Sequence, residues 1–192
     1  MFDTEKVERA VRDLLSAFGE DIAREGLIDT PRRVAGYWQE LLEGAQYTNE
    51  QIAQMFSKKF IVRSNPLVVK KINNVFSHCE HHLALMYNMA VTVAYLPVQI
   101  SNNEYQVIGL SKIPRIVDLC AKRLQLQEKL ADDIAECISL ATGSGDIYVN
   151  IIADHACVSA RGAKSDGITD VTALRGRFID NSDLRNEVES RV

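Results

Sequence analysis

The order of the predicted elements indicates an α+β domain in which an antiparallel sheet carries helices on one face. In the first 58 residues, apolar residues recur at helical spacing. From residue 59, short runs rich in β-branched and aromatic residues alternate with polar turns. Two further amphipathic stretches interrupt these runs and are expected to cover the sheet. We therefore divide the chain into an N-terminal helical region, residues 1–58, and a sheet-containing region, residues 59–192.

The N-terminal region is expected to be helical. Residues 4–18 carry apolar side chains at the spacing of an amphipathic helix. Thr30 is expected to cap a second helix, because Pro31 suits the first helical position. Thr48 and Gln51 have the spacing of a capping box, which predicts a third, shorter helix.

Six strands are predicted in the second region, at residues 60–63, 67–72, 89–95, 106–109, 147–153 and 169–178. A polar turn at Ser64-Asn65-Pro66 separates the first two. Residues 155–160 are expected to continue the fifth strand. Residues 181–192 fit either a polar helix or a frayed tail.

Two helices are predicted between the fourth and fifth strands. The first starts near Ser111, and Pro114 is tolerated there only within the first turn, where the amide donors are unpaired. The second has Leu126, Leu130, Ile134 and Ile138 on one stripe and stops near the turn at residues 143–145. Cys120 and Cys137 fall on these helices and are interpreted as small buried hydrophobic residues.

Composition restricts the class of protein. The net charge is -4, which argues against a general nucleic-acid or anionic-membrane surface. No apolar run reaches membrane-spanning length, and the start of the chain lacks a secretory apolar segment. With only four cysteines, a disulfide scaffold is not indicated. We expect a cytoplasmic protein with reduced thiols.

The most informative pattern is a cluster of histidine and cysteine. Cys79 and His82 are three residues apart, and His155 and Cys157 form a second pair far along the chain. Thiolate and imidazole are the ligands that Zn²⁺ prefers. If extended, residues 155 and 157 point to the same face of a strand. Cys79, His82 and Cys157 would then leave a fourth position open for a water molecule, the arrangement of a catalytic zinc.

The same residues allow another interpretation. A structural zinc needs a fourth protein ligand, which His81 or His155 can supply. In the catalytic arrangement, these two histidines remain free to carry protons, since histidine titrates near neutral pH. His78 neighbours Cys79 and points the other way on a strand, so we interpret it as a surface or core histidine.

A second group is cationic. Ser111, Lys112 and Arg115 open a helix, where exposed amides and the helix dipole favour an anion. Arg161 follows the second histidine–cysteine pair, and Arg33 lies in the first turn of an earlier helix. Each alone is typical of a solvated surface charge, but together they predict a phosphate receptor.

A third group is the run from Gln125 to Glu128. Acidic residues favour the first turn of a helix, which explains Glu128 without any ligand. A carboxylate also accepts hydrogen bonds from a base with adjacent N–H donors, such as guanine. The residues alone leave both interpretations open.

Seven ordered motifs resemble the GTP cyclohydrolase I family. They are Arg24-Glu-Gly-Leu-x-Asp-Thr-Pro-x-Arg33, Cys79-Glu-His-His82, Val93-Ala-Tyr-x-Pro97, Gly109-Leu-Ser-Lys-x-x-Arg-Ile-Val117, Gln125-x-Gln-Glu128, His155-x-Cys157 and Ala160-Arg-Gly162. The resemblance runs from about residue 19 to residue 178. One departure is the loop between Val98 and Gln106, which is several residues longer than the usual turn.

The resemblance implies a tunnelling fold, with a four-stranded antiparallel sheet, two long helices on one face and additional N-terminal helices. It also implies homodecamers of two stacked pentamers with active sites shared between subunits. The implied reaction is zinc-dependent hydrolysis of GTP to 7,8-dihydroneopterin triphosphate and formate, the first step of tetrahydrofolate and pterin synthesis.

The implied site residues follow the motifs. Cys79, His82 and Cys157 correspond to the zinc ligands, and His81 and His155 to the proton-transfer residues. The resemblance assigns the guanine to Gln127 and Glu128, and the ribose side to Ser111. It assigns the triphosphate to Lys112, Arg115 and Arg161, with Arg33 reaching it from a neighbouring subunit.

Two alternatives remain beside this interpretation. One is a related cyclohydrolase that stops at another product or feeds deazapurine synthesis. The other is a non-catalytic zinc protein that binds a guanine nucleotide. Zinc-loaded protein that releases formate from GTP and yields a fluorescent pterin separates the main hypothesis from both.

Overall fold

The computed structural model describes residues 2–64 and 66–192. The helices are α1 (Thr4–Ala17), α2 (Thr30–Leu41), α3 (Asn49–Met55), α4 (Lys112–Ala121), α5 (Gln127–Thr142), α6 (Ala156–Ser159), α7 (Arg177–Asp180) and α8 (Ser182–Glu189), with a 3-10 turn at Glu43–Gln46. The strands are β1 (Lys59–Val62), β2 (Val68–Cys79), β3 (Leu85–Tyr95), β4 (Val98–Ser101), β5 (Glu104–Ile108), β6 (Leu124–Gln125), β7 (Ile147–His155) and β8 (Thr169–Arg175). The predicted turn at residues 64–66 includes Asn65, which lies outside the described residues.

The main sheet has the strand order β6-β2-β3-β7-β8. The four long strands are antiparallel to their neighbours, and the two-residue β6 runs parallel to β2. Helix α4 contacts β2, and α5 contacts β7 and β8. Alternate residues of the central strands are fully buried with these helices, namely Val91, Val93, Tyr95, Ile147, Val149 and Ile151. The predicted α+β class, with a four-stranded antiparallel sheet and two helices on one face, is confirmed.

The opposite face of the sheet is partly covered as well. Ala94 and Tyr148, which alternate with the core residues, pack with Phe178 and Val188 from the C-terminal helices. Of the two alternatives for residues 181–192, the helix is correct for Ser182–Glu189, and the Asn181 side chain accepts a hydrogen bond from the backbone N–H of Leu184. This second apolar cluster fixes the end of the chain against the sheet.

A smaller sheet, which the sequence did not predict, has the order β1-β5-β4. The long loop between Val98 and Gln106 forms a hairpin that turns at residues 102–103 and pairs with β1. Tyr95 links the two sheets, because its hydroxyl accepts a hydrogen bond from the backbone N–H of Ile108 at 3.2 Å. That hydroxyl lies at the end of β3 farthest from Cys79.

Helix ends agree with most of the predicted signals. The capping box of Thr48 and Gln51 is present, and Pro114 lies in the first turn of α4. Helix α5 ends at Gly143, whose φ of 78° favours glycine. The predicted cap at Thr30 is wrong, because the helix already includes this residue. Asp29 stands at the cap position, and its side chain accepts no capping hydrogen bond from the backbone N–H groups of the first turn.

The predicted strand over residues 155–160 is also wrong. The pairing of β7 with β8 ends at Ala153, so the chain beyond loses its partner on that side. It coils into the helical turn α6, where the N–H of Ala160 bonds to the carbonyl of Ala156 at 3.0 Å. The last strand is also shorter than predicted. It ends at Arg175, because the chain turns at Gly176, which has a φ of 58°. Cys157 therefore projects from a helical turn instead of a strand.

The N-terminal helices differ in how they join the rest of the chain. Helix α1 has no buried residue and contacts α2, whereas Ile52 and Ala53 of α3 belong to the main core. The division at residue 58 stays a prediction. Within residues 2–64 and 66–192, no helix combines the length and apolar character needed to cross a bilayer.

Candidate active site at the end of the main sheet

The candidate site begins where β2 ends. This strand was predicted to stop near Ile72, but an irregularity in pairing around Asn74, which has a φ of 59°, lets it continue to Cys79. Cys79 is 4% exposed, and its N–H bonds to the carbonyl of Ala84 at 2.9 Å. The chain then makes a turn that leaves His81 and His82 exposed. A buried thiol therefore lies beneath two accessible imidazoles.

The structure brings the second cysteine to this end of the sheet. His155 at the end of β7 pairs with Met86, next to the residue that pairs with His78. Burial raises the pKa of the Cys157 thiol, and the adjacent Cys79 thiol raises it further by charge and hydrogen bonding. The two thiols thus lie close together across β3.

The two exposed histidines have different partners: His81 lies near a thiol, and His82 contacts an arginine. His81 Nδ1 is 3.8 Å from Cys79 Sγ. His82 instead turns its Nε2 to the guanidinium of Arg161, which lies 2.9 Å away. Arg161 also counteracts the raised pKa of Cys157 by its charge, so the guanidinium lies close to the thiols.

His155 is hydrogen-bonded to Gln127. Its Nε2 is 2.7 Å from Gln127 Oε1. Burial lowers the pKa of His155, and the charges of Glu128 and Asp154 oppose this effect without cancelling it. The ring is therefore neutral at neutral pH, with a carboxylate beside it. Gln127 itself is 1% exposed, so the expectation that its side chain grips the guanine does not agree with its place in the structure.

The cationic group at the start of α4 does not join these residues within one chain. The C-terminal end of α4 lies near the site, since Ser77 Oγ donates to the carbonyl of Ala121 at 2.7 Å. Ser111 and Lys112 are at the other end, about 14–15 Å along the helix axis from Ala121, and Arg115 lies about 9 Å along it. The expectation of a phosphate receptor beside the thiols is wrong for a single copy, apart from Arg161.

Arg33 makes its recorded contact within its own helix. It bonds to Asp29 one turn earlier, at 3.4 Å, and its side chain is 68% exposed. Lys112 is placed over the ring of Phe56, 5.9 Å from its centroid. Both cations remain accessible to a ligand or to another copy of the chain.

The donor chemistry of the site fits zinc. Two thiols converge, and the exposed imidazole of His82 is three residues from one of them. In the described part of the chain, no three histidine, cysteine or acidic side chains enclose an ion as they stand. The His82 imidazole is exposed and is bonded to Arg161. All four cysteines are free thiols, and Cys120 and Cys137 are fully buried between helices, as predicted.

Sequence reasoning missed the aromatic support beneath the site. His78 is 3% exposed and packs against Trp38, with ring centroids 4.8 Å apart, and against Tyr37. The available signal was the pair Tyr37-Trp38 on a helix, since adjacent large aromatic residues usually bury against a partner. The contact of Gln127 with His155 was also missed, because it depends on how α5 docks on β7.

Comparisons with known proteins cover nearly the whole chain. A sequence profile described as GTP cyclohydrolase I matches residues 7–192. A protein of Clostridium acetobutylicum named GTP cyclohydrolase 1 is 46% identical over 189 residues, covering 95% of this chain and 93% of the relative. The protein of the same name from Ruminiclostridium cellulolyticum is 48% identical over 193 residues, covering 97% and 96%.

A much weaker structural similarity is to a dihydroneopterin aldolase from Burkholderia bound to guanine, at a TM-score of 0.35 and 13% identity over 57% of this chain and 93% of the other. The profile match and the identity to the two clostridial relatives lead to one conclusion. The chain belongs to the GTP cyclohydrolase I family.

Proposed function

We propose that this member of the family is a zinc-dependent enzyme that hydrolyses GTP to 7,8-dihydroneopterin triphosphate and formate. The observation that carries the proposal is the convergence of Cys79 and Cys157 beside three histidines, in a chain 46–48% identical to proteins named for this activity. The free thiols suit a reducing compartment, and we assign the enzyme to the cytoplasm and to the first step of tetrahydrofolate and pterin synthesis.

Cys79, Cys157 and His82 would hold the zinc. When bound, a zinc with an open position acts as a Lewis acid that makes water nucleophilic near neutral pH. Of these ligands, only His82 is exposed, so its imidazole has room to leave Arg161 and turn to the thiols. Arg161 is then released to bind an anionic group of the substrate.

His155 and His81 would move the protons. Hydrolysis at C8 of the purine requires proton transfer to an imidazole-ring nitrogen as the ring opens, and then to the amine nitrogen that separates from the formyl carbon as formate is released. His155 is neutral and partly enclosed, whereas His81 is exposed beside Cys79. Glu128 is exposed next to His155 and would accept hydrogen bonds from the adjacent N–H groups of guanine.

The triphosphate would be held between copies of the chain. Lys112 and Arg115 lie at the end of α4 that is farthest from Cys79, so the nearest way to complete the site is to supply them from a neighbouring subunit. Ser111 would accompany them on the ribose side, and Arg33 would come from another copy. We propose a homodecamer of two pentamers with active sites at the subunit interfaces.

Zinc content and GTP turnover measured on one preparation test the function. Wild-type protein is expected to carry zinc, release formate and yield a fluorescent pterin after oxidation. Cys157→Ser should lose both zinc and turnover, whereas His155→Ala should keep zinc and lose turnover. Cys120→Ala is the matched control, because it removes a fully buried thiol that is not a proposed zinc ligand and should keep zinc. Zinc-loaded wild-type protein that leaves GTP intact would refute the proposal.

A further inference from the structure

Gln127 is an enclosed polar side chain at the first position of α5, and all its hydrogen bonds are internal. It is 1% exposed. Its Nε2 donates to the carbonyl of Ile151 at 2.8 Å and to the carbonyl of Thr169 at 3.1 Å. Its Oε1 lies 2.7 Å from His155 Nε2. One amide therefore ties together α5, β7, the start of β8 and the histidine of the site.

The two carbonyls fix which way the amide points. A backbone carbonyl only accepts hydrogen bonds, so the group facing Ile151 and Thr169 has to be the NH₂. The reversed amide would place its oxygen against two carbonyl oxygens and leave them unpaired in a buried position. Oε1 is thus directed at His155 and can only accept.

An acceptor opposite Nε2 determines the tautomer of the ring. His155 Nε2 has to carry a proton in order to bond to Gln127 Oε1. In the neutral imidazole the lone pair then belongs to Nδ1. The amide also achieves this without adding another negative charge beside Glu128, which a carboxylate at position 127 would do.

We propose that Gln127 is a positioning residue that holds His155 in the Nε2–H tautomer, so that Nδ1 is the nitrogen offered to the substrate. During the reaction the proton moves to and from Nδ1, while the Nε2–H stays bonded to Gln127. This inference rests on the proposed role of His155 in proton transfer. It replaces the expectation, based on the family resemblance, that the Gln127 side chain contacts the guanine.

Kinetics on two variants separate positioning from direct contact. Gln127→Met removes the acceptor at similar volume, and kcat should fall on the order of 10–100-fold while KM for GTP changes less than about threefold. Gln127→Glu keeps an acceptor for His155 but loses the donors to both carbonyls, so it should retain more kcat than the Met variant. A rise in KM with kcat preserved would mean that Gln127 binds substrate, and equal loss of kcat in both variants would reduce its role to packing. Either result overturns the proposal.

A spectroscopic measurement tests the tautomer without turnover. The chain has four histidines, so solid-state NMR of ¹⁵N-histidine-labelled protein can assign His155 by comparison with His155→Ala. The wild type should show a protonated Nε2 and an unprotonated Nδ1, and Gln127→Met should show a mixture. Gln125→Met is the matched control, because Gln125 is also 1% exposed and its amide bonds to the carbonyl of Cys120 instead of a histidine.

The outcomes are distinct from those for the proposed function. Gln125→Met, the control, should lose about as much stability as Gln127→Met but should keep the His155 NMR signal of the wild type. An Nδ1–H signal in the wild type, or an unchanged signal in Gln127→Met, overturns the positioning role. If the wild type released no formate, the proposed function would fail, whereas the NMR result would still decide the tautomer.

Discussion

Tyr37 Oη lies 2.8 Å from His78 Nε2, and this hydrogen bond joins α2 to the strand residue that directly precedes Cys79. Trp38 packs on the same imidazole. Burial raises the pKa of the Tyr37 hydroxyl, which therefore remains protonated and able to donate. His78 thus links the N-terminal helices to the site. Of the two alternatives that the sequence allowed, a surface or a core histidine, it is a core histidine.

Tyr37→Phe removes this hydrogen bond and leaves the ring in place. We expect the free energy of unfolding to fall by about 1 kcal/mol, the usual net value of one such bond. Zinc content should be unchanged, since no proposed ligand is altered. Tyr47→Phe is the control, because the Tyr47 hydroxyl makes no hydrogen bond to residues 2–64 or 66–192. Thermal unfolding of both variants measures these changes in stability. If both variants lost the same stability, or neither lost any, the Tyr37–His78 bond would have no specific role.

Gly44 permits a close approach of the 3-10 turn to the end of α4. A Cβ at this position would lie 1.8 Å from the carbonyl oxygen of Leu119, a contact with backbone that cannot move aside. Gly44→Ala should therefore destabilise the protein by about 3 kcal/mol or more. Gly36→Ala is the control, because its Cβ meets nothing within 4 Å in α2, and alanine there should stabilise by about 0.5–1 kcal/mol. Urea unfolding of the two variants measures the difference, and equal midpoints would contradict the close contact.

The fold was predictable where one local signal decides an element. The capping box at Thr48, Pro114 in a first turn and Gly143 after α5 each specify a helix end through their own backbone chemistry. The strand through Cys79 and the turn after His155 were not predictable in this way. Both depend on where a neighbouring strand stops pairing, which is a tertiary property.

The site was predictable in its residues and less so in its arrangement. Spacing alone grouped Cys79 with Cys157, and the structure brings these thiols together. The same reasoning placed Lys112 beside them, because a sequence does not reveal that α4 carries it to the opposite end. The role of Gln127 was not predictable either, since an amide at the start of a helix can contact a ligand or make buried internal hydrogen bonds equally well.

Asp133 should make stability depend on acid pH. Burial alone would raise its pKa, but hydrogen bonds from Lys129 and Asn49 and the charges of Lys129 and Arg123 outweigh burial, and its pKa lies below the ordinary value of 3.8. The ionised carboxylate is favoured in the folded state, so its contribution is full above pH 3.8 and is lost as pH falls through the lower folded value. Asp133→Asn should cost about 2 kcal/mol near pH 7.

The pH dependence is tested by the difference between wild type and Asp133→Asn in chemical unfolding. That difference should shrink below about pH 4, because the wild type then becomes protonated as well. Taking the difference cancels the titration of groups common to both proteins. Asp132→Asn, at the exposed neighbouring position, should change stability by less than about 0.5 kcal/mol at every pH. A difference that stays constant into the acid range would show that the Asp133 carboxylate is not held ionised by its partners.

Mixed assemblies test whether two subunits share one active site. In each chain, His155 lies at the end of β7, and Lys112 and Arg115 lie in the N-terminal half of α4, away from the Ala121 end that contacts Ser77. A chain with Lys112→Ala and Arg115→Ala and a chain with His155→Ala should each be inactive in pure assemblies. Co-expressed in equal amounts, they should recover on the order of one quarter of wild-type turnover, because random neighbours then pair an intact half from each chain.

The control for this experiment combines two variants from the same half. Glu128 lies beside His155, so co-expression of Glu128→Ala with His155→Ala leaves no chain with an intact cluster and should recover nothing. Separate affinity tags establish that both chains occur in one assembly. Mixed assemblies of the first pair that stay inactive would show that Lys112 and Arg115 act within their own chain. The N-terminal end of α4 would then have to shift toward Cys79 against the packing of Ile113, Ile116 and Val117 in the core.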